Sequence, residues 1–593
     1  MIRLTEAQLN NKIKFINDYI KAENASTGSV VDPNANITSK NIGTLEAELH
    51  KDINIQLNRR LLCNKIKESF GEELANQYIS DLESHLIYCH DETSLKPYCV
   101  SISMYPFLFD GLKTLGGESI APCHLESFCG NFINLIFAIG AQFAGAVATV
   151  EFLAYFDHFA RIDYGDNYLL EKEEIIKNHF EHVIYALNQP AAARGHQSLF
   201  WNISIFDKSY FKSLFENFVF PDGSKMEWKT LKKLQNYFMT WFNKERKRAI
   251  LTFPVVTAAF LNDGKQAIDK EFKDMLTKEL SEGNSFFMYL SDSADSLASC
   301  CRLRNEMSDN TFSYSLGAGG VATGSINVIT LNMNRLVQKG IDLKEQIIKM
   351  QKYQIGYRKL IEDFLNAGML SVYNAGYITL DKQFLTIGIN GMVEAAESLG
   401  IIPGNNDEYK KFVSEKLKII YDQNKKMRSE TGYMFNTEFV PAENLGVKFA
   451  MWDIKDKLKV KRSCYNSYFF PVEDENINII DKFVLHGREI NKYLDGGSAL
   501  HLNLEQYCTK DGYDKLIDIA IKTGTNYFCT NILITYCEDC GFIDKNTQDH
   551  CTKCGSKNIS HATRIIGYLK KITSWSSMRK TEHVQRHYHK EFI

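Results

Sequence analysis

The chain has 593 residues, 44% of them hydrophobic and 12% aromatic, which is ample for a large buried core. A net charge of −3 and a pI of about 6.6 leave no basic footprint, which argues against nucleic acid as the main partner. The N-terminus, MIRLTEAQLNNKIKF, carries no apolar leader, so the fourteen cysteines read as thiols and metal ligands in a reducing cytoplasm.

Residues 1–95 are mostly helical in pattern. Asn36–Ser39 offers a cap before a helix reaching about residue 68, and Glu72–Leu86 gives a second amphipathic stretch. Residues 99–102 (CVSI) read as a short strand, followed by long helical patterns over 124–165 and 171–188. The apolar stretch 131–156 is interrupted by Asn131, Asn134, Gln142 and Glu151, which fits a buried helix better than a membrane span. A strand is expected over 196–206, with helices around 225–245 and 263–282. Short apolar strands then recur at 250–256, 286–290, 326–332, 384–389, 446–451, 499–504 and 532–536. Strands alternating with helices indicate an α/β class. No Pro/Ser/Gly-rich linker divides 90–500, so one large catalytic body is expected over 96–528, with a small separate module over 529–593.

That module carries the sharpest signal. Cys537, Cys540, Cys551 and Cys554 form C-x2-C-x10-C-x2-C, with Gly541 and Gly555 directly after the pairs. Each turn aims two thiolates at one ion, and four thiolates satisfy tetrahedral zinc with no open position, so the site reads as structural. An iron–sulfur centre is the other occupant this donor set could take. A zinc ribbon alone would also suit a nucleic-acid-binding protein. Gly567 follows in the apolar run Arg564-Ile565-Ile566-Gly567-Tyr568. Glycines in such runs are usually turns. This one also suits a backbone radical: with no Cβ its Cα can become planar, between an amide nitrogen and a carbonyl, inside apolar flanks.

Two other features read as ordinary. The run 316–324 (LGAGGVATG) is glycine-rich, but the segment after it is a strand rather than a helix, which rules out a dinucleotide fingerprint. The tail histidines His583, His587 and His589 read as a solvated helix face rather than a metal site.

The sequence TRIIGYL resembles the R-V-x-G-Y signature of glycyl radical enzymes. Directly behind a four-cysteine knuckle, and before the tail Arg579-Lys580-x-Glu582-x3-Arg586-x2-His589, it is similar to the class III (anaerobic) ribonucleotide reductases. Residues 299–304 (SCCRLR) and 324–335 (GSINVITLNMNR) resemble that family's thiyl-cysteine loop and the strand after it, with Cys301 on the radical position. Residues 88–112 resemble the segment carrying the second active-site cysteine, here Cys99, with His90 and Asp91 on a His–Asp pair near the substrate. Residues 437–453 resemble the P-A-E-N loop: Pro441, Ala442, Glu443 and Asn444 would open a helix whose free N–H groups suit a nucleotide's phosphates. LTIGINGM (385–392) and GGSALHLNL (496–504) match barrel strands, and the resemblance runs patchily from about Glu23-Asn24-Ala25 to the C-terminus.

The resemblance implies a ten-stranded α/β barrel, with Gly567 and Cys301 on loops meeting at its centre. It implies reduction of ribonucleoside triphosphates to 2'-deoxyribonucleotides for DNA synthesis, in a cytoplasmic, oxygen-sensitive homodimer controlled by nucleotide effectors. It implies a glycyl radical on Gly567, installed by a separate activase that uses S-adenosylmethionine and a 4Fe-4S cluster. Formate-using members carry Gly before the radical cysteine, where this chain has Cys300, and tend to have Asn where it has Ser325. This departure favours a thioredoxin- or glutaredoxin-like dithiol reductant, with formate as the other source of electrons. The helical region 1–95 leaves no room for an ATP-cone. A glycyl radical lyase is the other reading within the superfamily, although lyases generally lack the knuckle.

Overall fold

The computed structural model describes the chain except residues 1–3, 30, 32–36, 38, 192–194, 293–295, 299–303, 307–321, 441–443, 566 and 591–593; for 296–298 and 304–306 it describes the backbone only. The strands in chain order are β1 (Ile87–Cys89), β2 (Cys99–Ser101), β3 (Val147–Ala148), β4 (Pro190–Ala191), β5 (Gln197–Ser198), β6 (Trp201–Phe206), β7 (Val255–Leu261), β8 (Phe287–Ser291), β9 (Ser296–Ala298), β10 (Arg304–Glu306), β11 (Thr323–Asn332), β12 (Gln383–Asn390), β13 (Phe435–Phe439), β14 (Leu500–Asn503) and β15 (Tyr527–Asn531). Four more, β16 (Ile534–Cys537), β17 (Ile543–Asp544), β18 (Ile559–Arg564) and β19 (Leu569–Lys571), build the C-terminal module.

The large sheet follows the path β13-β12-β11-β2-β3-β6-β7-β8-β15-β14, with β1 paired to β11 beside it. Strands β2, β3, β6, β7 and β8 are mutually parallel. So are β11, β12 and β13 on one side, and β14 and β15 on the other. The two groups meet antiparallel at β2/β11 and at β8/β15. The ends of the path also meet. The Gly496 N–H donates to the Thr437 carbonyl at 2.8 Å, and the Phe439 N–H to the Gly497 carbonyl at 3.2 Å. This parallel bridge, Glu438↔Gly497, closes the ten strands into a barrel of two five-stranded halves. The strands are buried along nearly their whole length, as expected for parallel strands covered by helices.

Several sequence expectations are corrected. The helical pattern over 124–165 divides into helices Leu125–Gly140 and Phe152–Tyr164, with β3 between them, because Gly140 and Gly145 interrupt the run and Val147, Thr149 and Val150 are β-branched. The run at 446–451 is helical, within Leu445–Lys455, and the strand lies earlier, at β13. A short apolar run cannot reveal whether a buried helix or a buried strand carries it. The strand expected at 250–256 starts at Val255, after Pro254, which has no N–H for a ladder. The strand expected at 532–536 is β16, within the C-terminal module, but the last barrel strand, β15, crosses the expected boundary at 528/529. In the N-terminal region, the long helix starts at Ile42, capped by Asn41 rather than within Asn36–Ser39. Among the described residues no helix is long and apolar enough to cross a membrane.

Candidate active site

Strands β17-β16-β18-β19 form one small antiparallel sheet that presents both the cysteines and the glycine loop. At the cysteine end, Gly541 (φ +71°) and Gly555 (φ +75°) take the left-handed conformation that turns each CxxC pair inward. Their N–H groups donate to the carbonyls of Cys537 and Cys551 at 3.0 and 2.8 Å. The sulfurs of Cys537 and Cys554, and of Cys540 and Cys551, lie 3.6 Å apart, and all four fall within 4.8 Å of one another. Four sulfurs at the corners of a tetrahedron, each about 2.3 Å from a central zinc, would sit about 3.8 Å apart. The cluster therefore fits a metal such as zinc. Among the described residues no other group of three or more ligating side chains converges in this way. The tail is not simply a solvated face. His589 is buried, with Nε2 2.5 Å from Lys482 Nζ, and burial followed by the Lys482 charge lowers its pKa to about 3.

At the other end of the module, β18 and β19 pair through Arg564↔Leu569, so residues 565–568 form the connecting loop. Its tip holds Gly567, which is buried. Three arginines hold the loop's carbonyl oxygens. Arg564 Nη1 donates to Gly567 O at 2.6 Å, and Arg579 Nη2 to Ile565 O at 2.9 Å. Arg586 donates to Ile565 O at 3.2 Å and to Arg564 O at 3.1 Å. Glu582 lies between Arg579 and Arg586 and accepts from Arg586 Nε and Nη2, each at 3.0 Å. Arg579, Glu582 and Arg586 come from helix Ser577–Gln585 and the residue after it, at i, i+3 and i+7, which places them on one face. The N-terminal region reaches the same module: Asn24 Nδ2 donates to Thr573 O at 2.9 Å, and Lys580 pairs with Glu23 at 3.1 Å.

The loop meets the barrel at the end where β2, β3, β6 and β7 begin. Tyr568 packs edge-on against Phe200, with ring centroids 5.4 Å apart, and lies 6.0 Å from Phe253. Phe200 also packs against the small cluster of Cys99 and Ala146. One aromatic layer thus joins the glycine loop to the Cys99 thiol. Cys99 stands on β2 directly opposite Ser325 on β11, at the seam between the two half-barrels. The register of β11 against β12 shifts between Ser325 and Asn327, and Ser325 Oγ bonds the Asn327 carbonyl at 3.0 Å and Thr386 Oγ1 at 2.8 Å. The Ala146 N–H donates to Cys99 Sγ at 3.3 Å. Gly145 makes this approach possible, since a Cβ there would overlap the Cys99 sulfur.

His90, Asp91 and Asn444 are the other expected site residues within the described part of the chain. His90 is buried, and its Nε2 lies 2.8 Å from Thr330 Oγ1 near the far end of β11. Asp91 follows at φ +51° and opens a turn, its carbonyl accepting from the Ser94 N–H. Asn444 is the residue before helix Leu445–Lys455, and its Oδ1 accepts from Ser576 Oγ at 2.9 Å, which ties that helix start to the glycine module. The helix is fixed to β11 from its other side. Asp453 accepts from Arg335 Nε at 2.7 Å and from the Asn332 and Asn334 amides, all buried. Pro441, Ala442, Glu443, Cys300 and Cys301 lie outside the described residues. In sequence, Cys300 and Cys301 fall between β9 and β10, which pair antiparallel.

In the sequence, Arg579, Glu582 and Arg586 stand out only as a family-like ending. Their shared spacing on one helix face was the available signal for a clamp. The joining role of Phe200 and Tyr568 had no local signal, because it is a contact between residues 368 positions apart in the chain (568 − 200).

A family model described as anaerobic ribonucleoside-triphosphate reductase matches residues 46–589. A solved anaerobic ribonucleotide reductase aligns with a TM-score of 0.84 at 27% identity, covering 99% of this chain and 93% of that one. The anaerobic ribonucleotide reductase from Thermotoga maritima with dATP bound in the specificity site gives 0.80 at 26% identity, over 97% and 100% of the two chains. The same enzyme in complex with dATP and CTP gives 0.80 at 26%, over 98% and 100%. No curated protein matches the sequence. With a family match along most of its length, and reductase structures aligned over nearly all of it, the chain belongs to the anaerobic ribonucleoside-triphosphate reductase family and is an oxidoreductase of anaerobic ribonucleotide reduction.

Proposed function

We propose that Gly567 stores the radical of this reductase and that Cys301 uses it. The observation that carries the reading is the buried Gly567 at the tip of an arginine-held loop, one aromatic layer from Cys99. An activating partner that uses S-adenosylmethionine and a 4Fe-4S cluster removes one Cα hydrogen atom from Gly567. Zinc on Cys537, Cys540, Cys551 and Cys554 does no chemistry and holds the small sheet rigid behind the loop.

The substrate is a ribonucleoside triphosphate, and the reductases that bind dATP and CTP support nucleotides as both effectors and substrates. The Cys301 thiol gives its hydrogen atom to Gly567 and becomes a thiyl radical, which takes the 3'-hydrogen of the ribose. The 2'-hydroxyl then leaves as water, with Cys99 as the proton donor. Cys99 and Cys300 supply two electrons and end as a disulfide. Cys301 returns the 3'-hydrogen, and Gly567 recovers the radical. A thioredoxin- or glutaredoxin-like protein reduces the disulfide; formate is the alternative electron source. His90, Asp91 and Ser325 serve the ribose, and Pro441, Ala442, Glu443 and Asn444 serve as the phosphate-binding residues. Holding these groups in line and dry is the protein's main contribution. The working form is a cytoplasmic homodimer.

The test is anaerobic turnover of the activated protein. Product should form with thioredoxin and its reductase, and Cys301→Ser should abolish it while leaving the radical on Gly567. Turnover with formate alone, with no gain from thioredoxin, would rule out the dithiol route.

A further inference from the structure

One of the three arginines around the loop does something the other two do not. Arg579 and Arg586 reach the carbonyls of Arg564 and Ile565, which are not conjugated with the Gly567 Cα. Arg564 reaches the carbonyl of Gly567 itself, at 2.6 Å, as short as the strongest charge-assisted hydrogen bonds. A radical on the Gly567 Cα is stabilised from two sides, by an amide nitrogen that donates electron density and a carbonyl that withdraws it. Part of the spin then rests on the carbonyl oxygen. A cation donated to that oxygen makes the carbonyl a stronger acceptor.

The charge is held in place and left available. Arg564 Nε donates to Ser285 Oγ at 3.1 Å, Nη2 donates to the Ser285 carbonyl at 2.9 Å, and the guanidinium lies 4.7 Å from the centre of the Phe287 ring. These anchors stand at the start of β8, so the donor is fixed to the barrel. Arg579 and Arg586 share the carboxylate of Glu582, whereas the hydrogen bonds of Arg564 go to a hydroxyl and two carbonyls. Arg564 and Gly567 are both buried, where a charge is weakly screened.

The geometry points to Arg564 as the residue that tunes the stored radical, its guanidinium stabilising the Gly567 radical through the conjugated carbonyl. The inference rests on the reading of Gly567 as the radical site. Arg564 is then a positioning residue, acting through the Gly567 carbonyl.

The experiment is high-field EPR of the anaerobically activated full-length protein, comparing wild type with Arg564→Lys, Arg564→Gln and the control Arg579→Lys. In Arg564→Gln the largest g-component should rise, because less positive charge faces the oxygen. The radical should also decay about tenfold faster, the equivalent of about 1.4 kcal/mol. Arg564→Lys should recover part of both effects. Arg579→Lys should leave the g-values unchanged, since its bond is not on the conjugated carbonyl. A second measurement needs no variant: wild type in D2O should show, by pulsed ENDOR, an exchangeable deuteron hydrogen-bonded to the radical's carbonyl oxygen. Wild-type g-values and lifetime in Arg564→Gln would overturn the inference and leave the Gly567 reading intact, as would absence of the deuteron coupling. Absence of any glycyl signal in wild type would instead overturn the Gly567 reading itself.

Discussion

Glu582→Gln is the most informative single change in the loop clamp. The carboxylate accepts from Arg586 Nε and Nη2 at 3.0 Å each and forms an ion pair with Arg579, whose Nε lies 3.3 Å away. The side chains are nearly closed to solvent, at 7% exposure for Glu582 and 5% and 3% for the two arginines, so screening does little to discount the interaction. Glutamine keeps the shape but leaves two buried guanidinium groups without a counter-charge. Breaking a buried pair in this way costs about 3–5 kcal/mol. If the cost falls on the tail and loop, local opening rises by roughly a hundred- to several-thousand-fold at about 1.4 kcal/mol per factor of ten. Hydrogen exchange should report it at the Ile565 amide, whose N–H donates to the Tyr568 carbonyl at 3.2 Å. The radical yield should fall in parallel, while amides of the barrel strands keep their protection. The pH dependence has a definite sign. Burial raises the Glu582 pKa, but Arg579 and then Arg586 outweigh it and hold it below the ordinary glutamate value. A depressed folded pKa means that the stabilisation is fully present above the unfolded value of about 4.3 and is lost as pH falls through the folded one. Wild type should therefore loosen at the loop below about pH 4, and Glu582→Gln should lack that step. Wild-type exchange at Ile565 together with full radical yield in Glu582→Gln would refute the clamp.

Three further outcomes are expected. Gly145→Ala places a methyl group against the Cys99 sulfur and 3.0 Å from the Tyr98 carbonyl oxygen. It should cost about 1–3 kcal/mol in thermal stability, and turnover should drop by more than that loss explains, as measured by deoxyribonucleotide formation at a temperature where the variant is folded. Cys540→Ser or metal chelation should abolish radical formation by EPR and leave the main thermal transition of the barrel in place. Asp453→Asn should weaken the buried Arg335 anchor behind helix Leu445–Lys455 and raise the KM for nucleotide more than it lowers kcat, read from steady-state kinetics.

Chemistry close together in sequence was the most legible. The four cysteines announce their cluster through spacing, because a two-residue gap is what lets one turn offer two sulfurs to one ion. The loop that holds Gly567 was marked in the sequence by its neighbours Arg564 and Tyr568. Strands long enough to show an apolar run, such as β12 and β14, were found near their true positions. Strand β3 was not: at two residues it is too short to show a pattern of its own inside a long apolar stretch. The helix after Asn444 was mistaken for a strand because it is buried on the side facing β11 and carries little polar periodicity. Contacts made by folding alone stayed hidden, including Phe200 against Tyr568, Ser576 on Asn444, and Ser325 opposite Cys99. The clamp was half visible, since the arginine and glutamate spacing gives the helix face while only the fold shows the carbonyls they reach.

The central claim is that Gly567 carries the radical, and one EPR measurement tests it most directly. The protein is incubated without oxygen with a radical S-adenosylmethionine activase, and its spectrum is recorded beside that of Gly567→Ala. The expected result is a glycyl doublet in wild type, absent from the variant, with chain cleavage at Gly567 on brief exposure to oxygen. A doublet that persists in Gly567→Ala, or no radical with any suitable activase, would contradict the claim.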